Sequence, residues 1–210
     1  VAGQNVVGAP MVSVKNFINQ PLSGVDVTVY INQHNFASGT YTVQTDENGE
    51  AIFDDLVINK AAENYQLIFE ADHSGINNVS SDKFNVEHAD PSNLSIATQP
   101  DETTEGAAIN GPPEVVLSDA FGNPVPDKTV QVAESGGYSF DGGTTSINTD
   151  EHGSATFSDL VINTIGTYSL TFSNASVSDA QSQNFSVKSG TVFNRFNGST
   201  HSGFGNSSVS

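Results

Sequence analysis

Hydrophobic and polar residues alternate with a period of two along most of this chain. Apolar residues occupy every second position between residues 25 and 31, and segments 65–69 and 130–132 follow the same pattern. Such alternation is typical of strands with one face buried and the other in water. Thr, Val, Ile, Tyr and Phe, which favour pleated surfaces, dominate these runs. The pattern therefore predicts an all-β chain of antiparallel strands.

Turn-forming residues separate these runs. Asp46–Gly49 and Asp150–Gly153 have the composition of tight hairpin turns in which the glycine takes a positive φ. Ile18–Pro21 and Phe121–Pro124 place Asn or Gln and Pro where the chain enters its next strand. Strands separated by turns every 8–12 residues or so are typical of β-sandwiches, and this is the architecture that we predict.

The chain contains one segment twice. Residues 45–60 read TDENGEAIFDDLVINK, and residues 149–164, 104 positions further on, read TDEHGSATFSDLVINT. A period of about 100 residues exceeds the ~20–50 residues of a solenoid unit and matches a domain with its own core. The duplication predicts two tandem Ig-like β-sandwich domains, at 1–89 and 90–188. Pro91 is expected to interrupt strand pairing at a short join between them.

The unit T-D-x-x-G-x-A-x-F, with a preceding (D/N)-x-x-(G/N)-x-P element, resembles bacterial Ig-like domains of the kind that form the stalks of invasin- and intimin-like adhesins. Residues 119–125 and 149–157 carry this resemblance. The phrase ATFSDLVIN at 155–163 is similar to repeats of very large surface adhesins of gliding Bacteroidetes. The resemblance covers 1–188, although Phe17–Pro21 lacks the Asp and Gly of the motif. It implies an Ig-like fold and a stalk role, and no catalytic or binding residues come with it.

The chain is strongly acidic, with 24 Asp and Glu residues against six Lys and Arg residues and a formal net charge of -18. A surface of this sign repels phosphate backbones and anionic membranes, which excludes a nucleic-acid partner. No apolar run approaches the roughly 18 residues of a membrane span, so we expect no membrane insertion. There is no Cys, no signal peptide and no initial Met. We interpret the chain as a mature piece of a longer secreted or cell-surface bacterial protein.

Acidic residues recur in the predicted turns. They are Asp46, Glu47, Asp54, Asp55, Asp150, Glu151 and Asp159. The ordinary interpretation is turn-forming Asp on a solvated surface; the alternative is calcium binding, which needs six to eight oxygen ligands. Glu87 and Asp90, at the join of the domains, are a better place for such an ion. A polar loop with Asp101, Glu102 and Glu105 is expected to fold toward them.

No pattern of catalytic residues accompanies these features. The five His residues are scattered and form neither H-x-x-x-H nor H-E-x-x-H, so a zinc enzyme lacks its ligands. There is no G-x-S-x-G nucleophile elbow, and no Trp to wall a glycosidase cleft. The sequence predicts a protein that is not an enzyme, with no catalytic, cofactor-binding or metal-binding residues.

The segment 189–210 has no counterpart in the first domain and is rich in Gly, Ser and Asn. This composition is typical of a flexible leader into a further module. Thr191 and Phe193, however, share one face of an alternating run, so the segment is alternatively a strand that pairs with the open edge of a neighbour. Residues 1–14, which carry few charges, are the expected complementary site.

Three functions are open from the sequence. The favoured one is a structural or adhesive module, a stalk or spacer whose partners are neighbouring Ig-like modules and, through a binding tip, surface glycans or proteins. One alternative is a subunit of a self-assembling extracellular filament joined by exchange of terminal strands. The other is a carbohydrate-binding accessory module of a secreted enzyme, with Tyr138, Phe140 and Phe204 as its contact aromatics.

Overall fold

A computed structural model describes residues 1–190, which form strands and no helix; none of these residues belongs to a helix that could cross a membrane. The prediction of an all-β chain is confirmed. The first eight strands are β1 (Met11–Ser13), β2 (Asp26–Ile31), β3 (Thr42–Gln44), β4 (Glu50–Ile52), β5 (Ala62–Tyr65), β6 (Leu67–Ala71), β7 (Val79–Ser80) and β8 (Phe84–Val86). The next ten are β9 (Pro91–Thr98), β10 (Thr103–Thr104), β11 (Glu114–Asp119), β12 (Thr129–Glu134), β13 (Ser146–Asn148), β14 (Ser154–Thr156), β15 (Gly166–Tyr168), β16 (Leu170–Asn174), β17 (Val177–Gln181) and β18 (Phe185–Lys188). The predicted tail lies outside the described residues from position 191 onward.

Within residues 1–190, strands β1–β8 pair only with one another, and strands β9–β18 pair only with one another. We call β1–β8 the N-terminal sandwich and β9–β18 the C-terminal sandwich. In the C-terminal sandwich the strands form three sheets, in the orders β9-β11-β14, β13-β12-β16-β17 and β15-β18-β10. The N-terminal sandwich repeats this order with β1-β4, β3-β2-β6-β7 and β5-β8. All pairs are antiparallel except β10 with β18.

The duplicated phrase supplies the centre of both cores. Its buried side chains are Ala51, Phe53, Leu56 and Ile58 in the first copy and Ala155, Phe157, Leu160 and Ile162 in the second. Phe53 packs against Phe69 with ring centroids 5.4 Å apart, and Phe157 packs against Phe172 at 5.5 Å. Tilted aromatic pairs of this kind stabilise a core beyond the area that they bury. The strongest internal similarity of the sequence therefore coincides with the most closely packed positions.

The same phrase begins with a hairpin turn that requires glycine. Gly49 and Gly153 both have a φ of +73°, a conformation that other residues adopt only with strain. A β carbon at Gly49 would lie 2.5 Å from the carbonyl oxygen of Val14, and one at Gly153 would lie 2.5 Å from that of Leu117. The turns thus sit directly on the strands β1 and β11.

The C-terminal sandwich has two strands, β9 and the two-residue β10, that have no counterpart strand in the N-terminal sandwich. β11 pairs with β14 on one edge and with β9 on the other, where Leu117 lies opposite Leu94. β1 is the counterpart of β11 and pairs with β4 in the same way, but within residues 1–190 no strand covers its other edge. The expectation that Pro91 interrupts pairing is wrong. Pro91 opens β9 opposite Asp119, because proline is tolerated as the first residue of an edge strand.

Candidate functional site at the junction of the sandwiches

The turn Asp119–Pro124 lies where the C-terminal sandwich meets the N-terminal sandwich. Oδ1 of Asp119 accepts hydrogen bonds from the backbone N–H groups of Phe121 at 2.8 Å and Asn123 at 2.9 Å. Gly122 has a φ of +77° and lets the chain reverse. A carboxylate that binds the backbone two and four residues ahead shapes a loop without needing a partner strand. The turn presents the side chains of Phe121 and Asn123 to the neighbouring sandwich.

Asn123 is fully buried and its amide joins the two sandwiches. Nδ2 donates to the carbonyl oxygen of Asn59 at 2.7 Å and to Oδ2 of Asp119 at 2.8 Å. Oδ1 accepts a hydrogen bond from the backbone N–H of Ala61 at 2.9 Å. Both amide hydrogens and the amide oxygen are therefore satisfied. Such a buried polar contact is specific, because any displacement would leave desolvated groups without partners.

Asp119 adds another hydrogen bond across the junction. Its Oδ2 accepts from the backbone N–H of Ala89 at 2.9 Å, just before the chain enters β9. Burial raises the pKa of the Asp119 carboxyl, but the hydrogen bonds from Asn123, Ala89 and Phe121 lower it more, so the pKa lies below its ordinary value. The carboxylate is ionised at neutral pH and holds the connecting segment against the C-terminal sandwich.

Phe121 covers Gly3 of the N-terminal sandwich. A β carbon at Gly3 would lie only 2.2 Å from Cζ of Phe121, and the φ of Gly3 is +76°. Glycine is thus required here both by the backbone conformation and by the close approach of the ring. The junction combines this contact with two hydrogen bonds between the sandwiches and one from the connecting segment to Asp119, so the connection does not depend on the linker alone.

A turn of the same geometry occurs at the opposite end of the N-terminal sandwich, made by different residues. Oδ1 of Asn16 accepts from the N–H groups of Ile18 at 3.1 Å and Gln20 at 2.9 Å. Asn19 has a φ of +63° where the other turn has a glycine. The departure from the sequence motif leaves the turn intact, because Asn offers the same acceptor and tolerates the left-handed conformation. Here Phe17 and Ile18 are 99% and 58% exposed.

The duplicated acidic residues hold loops. Oδ1 and Oδ2 of Asp55 accept hydrogen bonds from the backbone N–H and the hydroxyl of Thr40 at 2.8 and 2.7 Å. Asp159 binds Thr144 in the same manner at 2.8 and 2.9 Å. The backbone hydrogen bond, followed by that of the hydroxyl, lowers the pKa of each carboxyl. These contacts support the interpretation of the residues as turn formers.

Asp46 and Asp150 serve the hairpin turns similarly. Oδ1 of Asp46 accepts from the N–H groups two and four residues ahead at 2.8 and 2.9 Å. Asp150 makes both contacts at 2.9 Å. The hydrogen bond from the residue four positions ahead is the main cause of the lowered pKa of each carboxyl.

The expectation that the acidic loop folds toward the join of the sandwiches is wrong. Glu105 donates its N–H to the carbonyl of Lys188 at 2.8 Å, and Glu102 forms an ion pair with the Lys188 ammonium. This places the loop at the far end of the C-terminal sandwich, away from Glu87 and Asp90, because β10 pairs with the end of β18. Within residues 1–190 no group of three or more His, Cys, Asp or Glu is arranged to hold a metal ion. Calcium binding stays a prediction.

The remaining candidates are dispersed. The imidazole Nε2 of His152 lies 3.6 Å from the carboxylate of the adjacent Glu151, and both side chains are exposed. Tyr138 is 70% exposed, and its ring meets that of Tyr168 edge-on. Phe140 was expected to be an exposed contact aromatic. Instead it is partly buried and packs against the core of the C-terminal sandwich. Phe204 lies outside the described residues, and carbohydrate binding stays a prediction.

Sequence reasoning missed the roles of Asn123 and Phe121. The turns 16–21 and 119–124 have the same geometry, but Gln20 and Ile18 stand where Asn123 and Phe121 contact the neighbouring sandwich. A position-by-position comparison of the two turns in the sequence would have revealed this difference.

No family model matches the chain, and no curated protein matches it. Among solved structures, the D0-D1 domain of intimin is 16% identical with a TM-score of 0.37, covering 85% of this chain and 88% of that one. Invasin, a bacterial integrin-binding protein, is 17% identical with a TM-score of 0.41; the match covers 85% of this chain and 35% of the invasin chain. A β-glycosidase from Bacteroides vulgatus is 11% identical with a TM-score of 0.37, covering 77% of this chain and 21% of the enzyme.

Proposed function

We propose that this chain is a non-enzymatic structural module of a secreted or cell-surface bacterial protein, in which the two sandwiches act together as one stiff spacer. The observation that supports this proposal is the junction. Domains joined only by a linker move relative to one another by default. Here Asn123 and Asp119 form directed hydrogen bonds across the boundary, and Phe121 covers Gly3.

The surface chemistry supports the same role. The acidic residues that the two copies share are used to shape loops, as the Asp55–Thr40 and Asp159–Thr144 contacts show. A net charge of -18 favours a soluble, solvated surface. In this role the chain holds a binding tip away from the cell, and its own partners are neighbouring modules of the same kind.

Distances between spin labels test the proposal on the full chain. The sequence has no cysteine, so Thr42→Cys and Ser146→Cys, on exposed positions of β3 and β13, place one nitroxide on each sandwich. We expect one narrow distance distribution, because the junction restricts rotation. Adding Asn123→Ala should broaden it, whereas Gln20→Ala, at the equivalent position of the exposed turn, should leave it unchanged. A broad distribution in the chain with an intact junction would refute the spacer role.

A further inference from the structure

One strand position of the N-terminal sandwich is filled by no strand of residues 1–190. In the C-terminal sandwich, β9 fills this position and places Leu94 and Ile96 in the core. Beside β1 the equivalent space is a groove of about 240 Å³, whose apolar lining includes Val12, Val14, Val27, Phe69, Ile76 and Val79. Val79 is 53% exposed at its rim. Apolar surface that a strand covers in one sandwich is therefore uncovered in the other.

The edge of β1 is suited to receive a strand. Val14 donates its N–H to the carbonyl of Gly49 at 2.8 Å and accepts from the N–H of Leu22 at 2.9 Å, and Val12 lies opposite Ala51, so Val12 and Val14 are paired on the β4 side of β1. In an antiparallel ladder, alternate residues point their N–H and C=O groups to opposite sides. Ser13 therefore faces the vacant side. An open edge next to an apolar groove is the arrangement that an added strand completes.

The exposed turn beside this groove matches the turn of the internal junction. Phe121 of that junction covers Gly3, while Phe17 and Ile18, in the turn of the same geometry, extend into solvent. Two adjacent exposed apolar side chains at the tip of a turn are costly to leave in water. The N-terminal sandwich thus carries an unused copy of the surface with which the C-terminal sandwich docks.

The far end of the C-terminal sandwich has a surface that corresponds to the one that Phe121 and Asn123 cover on the N-terminal sandwich. Gly106 has the φ of +76° found at Gly3, but a β carbon there would meet only Oδ1 of Asn163, at 3.5 Å. Ile165 stands in the place of Ala61 and is 56% exposed. Among residues 1–190, none covers on the C-terminal sandwich the surfaces that Phe121 and Asn123 cover on the N-terminal one.

We propose that copies of this chain associate head to tail through these two ends. The end of the C-terminal sandwich of one copy meets the turn 16–21 of the next, and segment 191–198 of the first copy adds as an antiparallel strand beside β1 of the second. This repeats the internal arrangement, in which 91–98 follows Ala89 across the junction and lies beside β11. It extends the proposed structural role from a spacer to a self-assembling one.

The chemistry of the donor segment fits the site. It has the eight residues of β9 and includes three apolar ones, Val192, Phe193 and Phe196. All 24 acidic residues precede it, and it carries Arg195. A segment without negative charge is attracted to the acidic body of another copy, which favours their encounter.

Covalent reach requires that a donor segment at 191–196 come from another copy. Gly190 follows the end of β18, where Lys188 pairs with Thr104 at the far end of the C-terminal sandwich. A return to β1 would first retrace the length of β9, about 26 Å for eight residues at ~3.3 Å each. Residues 190 to 196 extend about 20 Å at most. Phe193 and Phe196 therefore cannot enter the groove of their own chain.

Light scattering of the full chain over a wide concentration range tests the association. We expect the mass to rise above 22.0 kDa with concentration. Deletion of 191–210 and Ser13→Pro should each weaken association by roughly tenfold or more. The proline removes the N–H that faces the vacant edge, a position where an edge strand tolerates it. Ser13→Ala keeps the N–H and should associate as the unmodified chain does.

Three outcomes would overturn the proposal. A constant monomer mass at all concentrations excludes association, and undiminished assembly of the chain lacking 191–210 shows that another segment fills the groove. Disulfide trapping gives the third. Lys15→Cys in one copy should form a disulfide with a single cysteine placed in turn at alternate positions of 191–196 in another copy. Gln131→Cys, on β12, replaces Lys15→Cys in the control. If Lys15→Cys gives no more crosslinking than this control, strand addition is excluded. The spin-label distances within one chain test the spacer role separately, since Ser13→Pro should leave them unchanged.

Discussion

Replacing Asn123 with Ala should uncouple the two sandwiches while leaving both folded. The substitution removes an amide that is fully buried and makes three side-chain hydrogen bonds. Two of these bonds cross the junction, to the carbonyl of Asn59 and from the N–H of Ala61. The third reaches Asp119, which keeps the backbone N–H groups of its own turn as donors. The loss therefore falls mainly on the contact between the sandwiches.

The magnitude follows from the two bonds across the junction. A typical intramolecular hydrogen bond contributes a net ~0.5–1.5 kcal/mol, so the pair should contribute about 1–3 kcal/mol to the free energy of unfolding of the C-terminal sandwich. Asn59 and Ala61 are half-buried, and water reaching them after the substitution would favour the lower part of this range. For a domain of ~100 residues, each kcal/mol lowers Tm by about 4–8 °C.

Urea and thermal unfolding of the full chain, followed by circular dichroism, measure this loss. Gln20→Ala is the matched control, because Gln20 holds the equivalent place in the exposed turn of the N-terminal sandwich. We expect a lower midpoint for Asn123→Ala and an unchanged one for Gln20→Ala. Equal midpoints for the two variants would show that Asn123 does not couple the sandwiches and does not stiffen the junction.

Three further predictions concern single positions. In urea unfolding, Gly3→Ala should destabilise the chain by at least ~1 kcal/mol more than Gly106→Ala. Both positions have a positive φ, but only a β carbon at Gly3 would meet the Phe121 ring. Equal losses of stability would contradict this close contact. The lowered pKa of Asp119 means that its stabilisation is fully present above the ordinary Asp pKa of about 3.9 and is lost as the pH falls through the folded-state value. Asp119→Asn should therefore flatten the acid side of a stability–pH profile, and an unaltered profile would refute this. Phe157→Ala should cost ~3–5 kcal/mol, since the ring is fully buried; calorimetry showing a smaller loss than ~1 kcal/mol would contradict its central place in the core.

Local chemistry was largely readable from the residues, and contacts between distant segments were not. The turn-forming Asp and Gly at 46–49 and 150–153 were predicted correctly, because their partners lie within four residues. The turn at Phe17–Pro21 was predicted as well, although its departure from the motif hid how closely it reproduces the other turn. Pro91 was misjudged because its effect depends on whether it stands inside a strand or at its start.

The sequence by itself determined the strands, the turns and the duplicated core phrase, because alternation and turn geometry arise from interactions over a few residues. Only the tertiary structure decided that Asn123 meets Asn59 and Ala61, which lie 64 and 62 positions earlier. It likewise decided that β11 has a strand on both edges, whereas only one edge of β1 is paired with a strand of residues 1–190. Such contacts depend on which segments strand pairing and sandwich docking bring together, and a side chain carries no local sign of the distant group that will satisfy it.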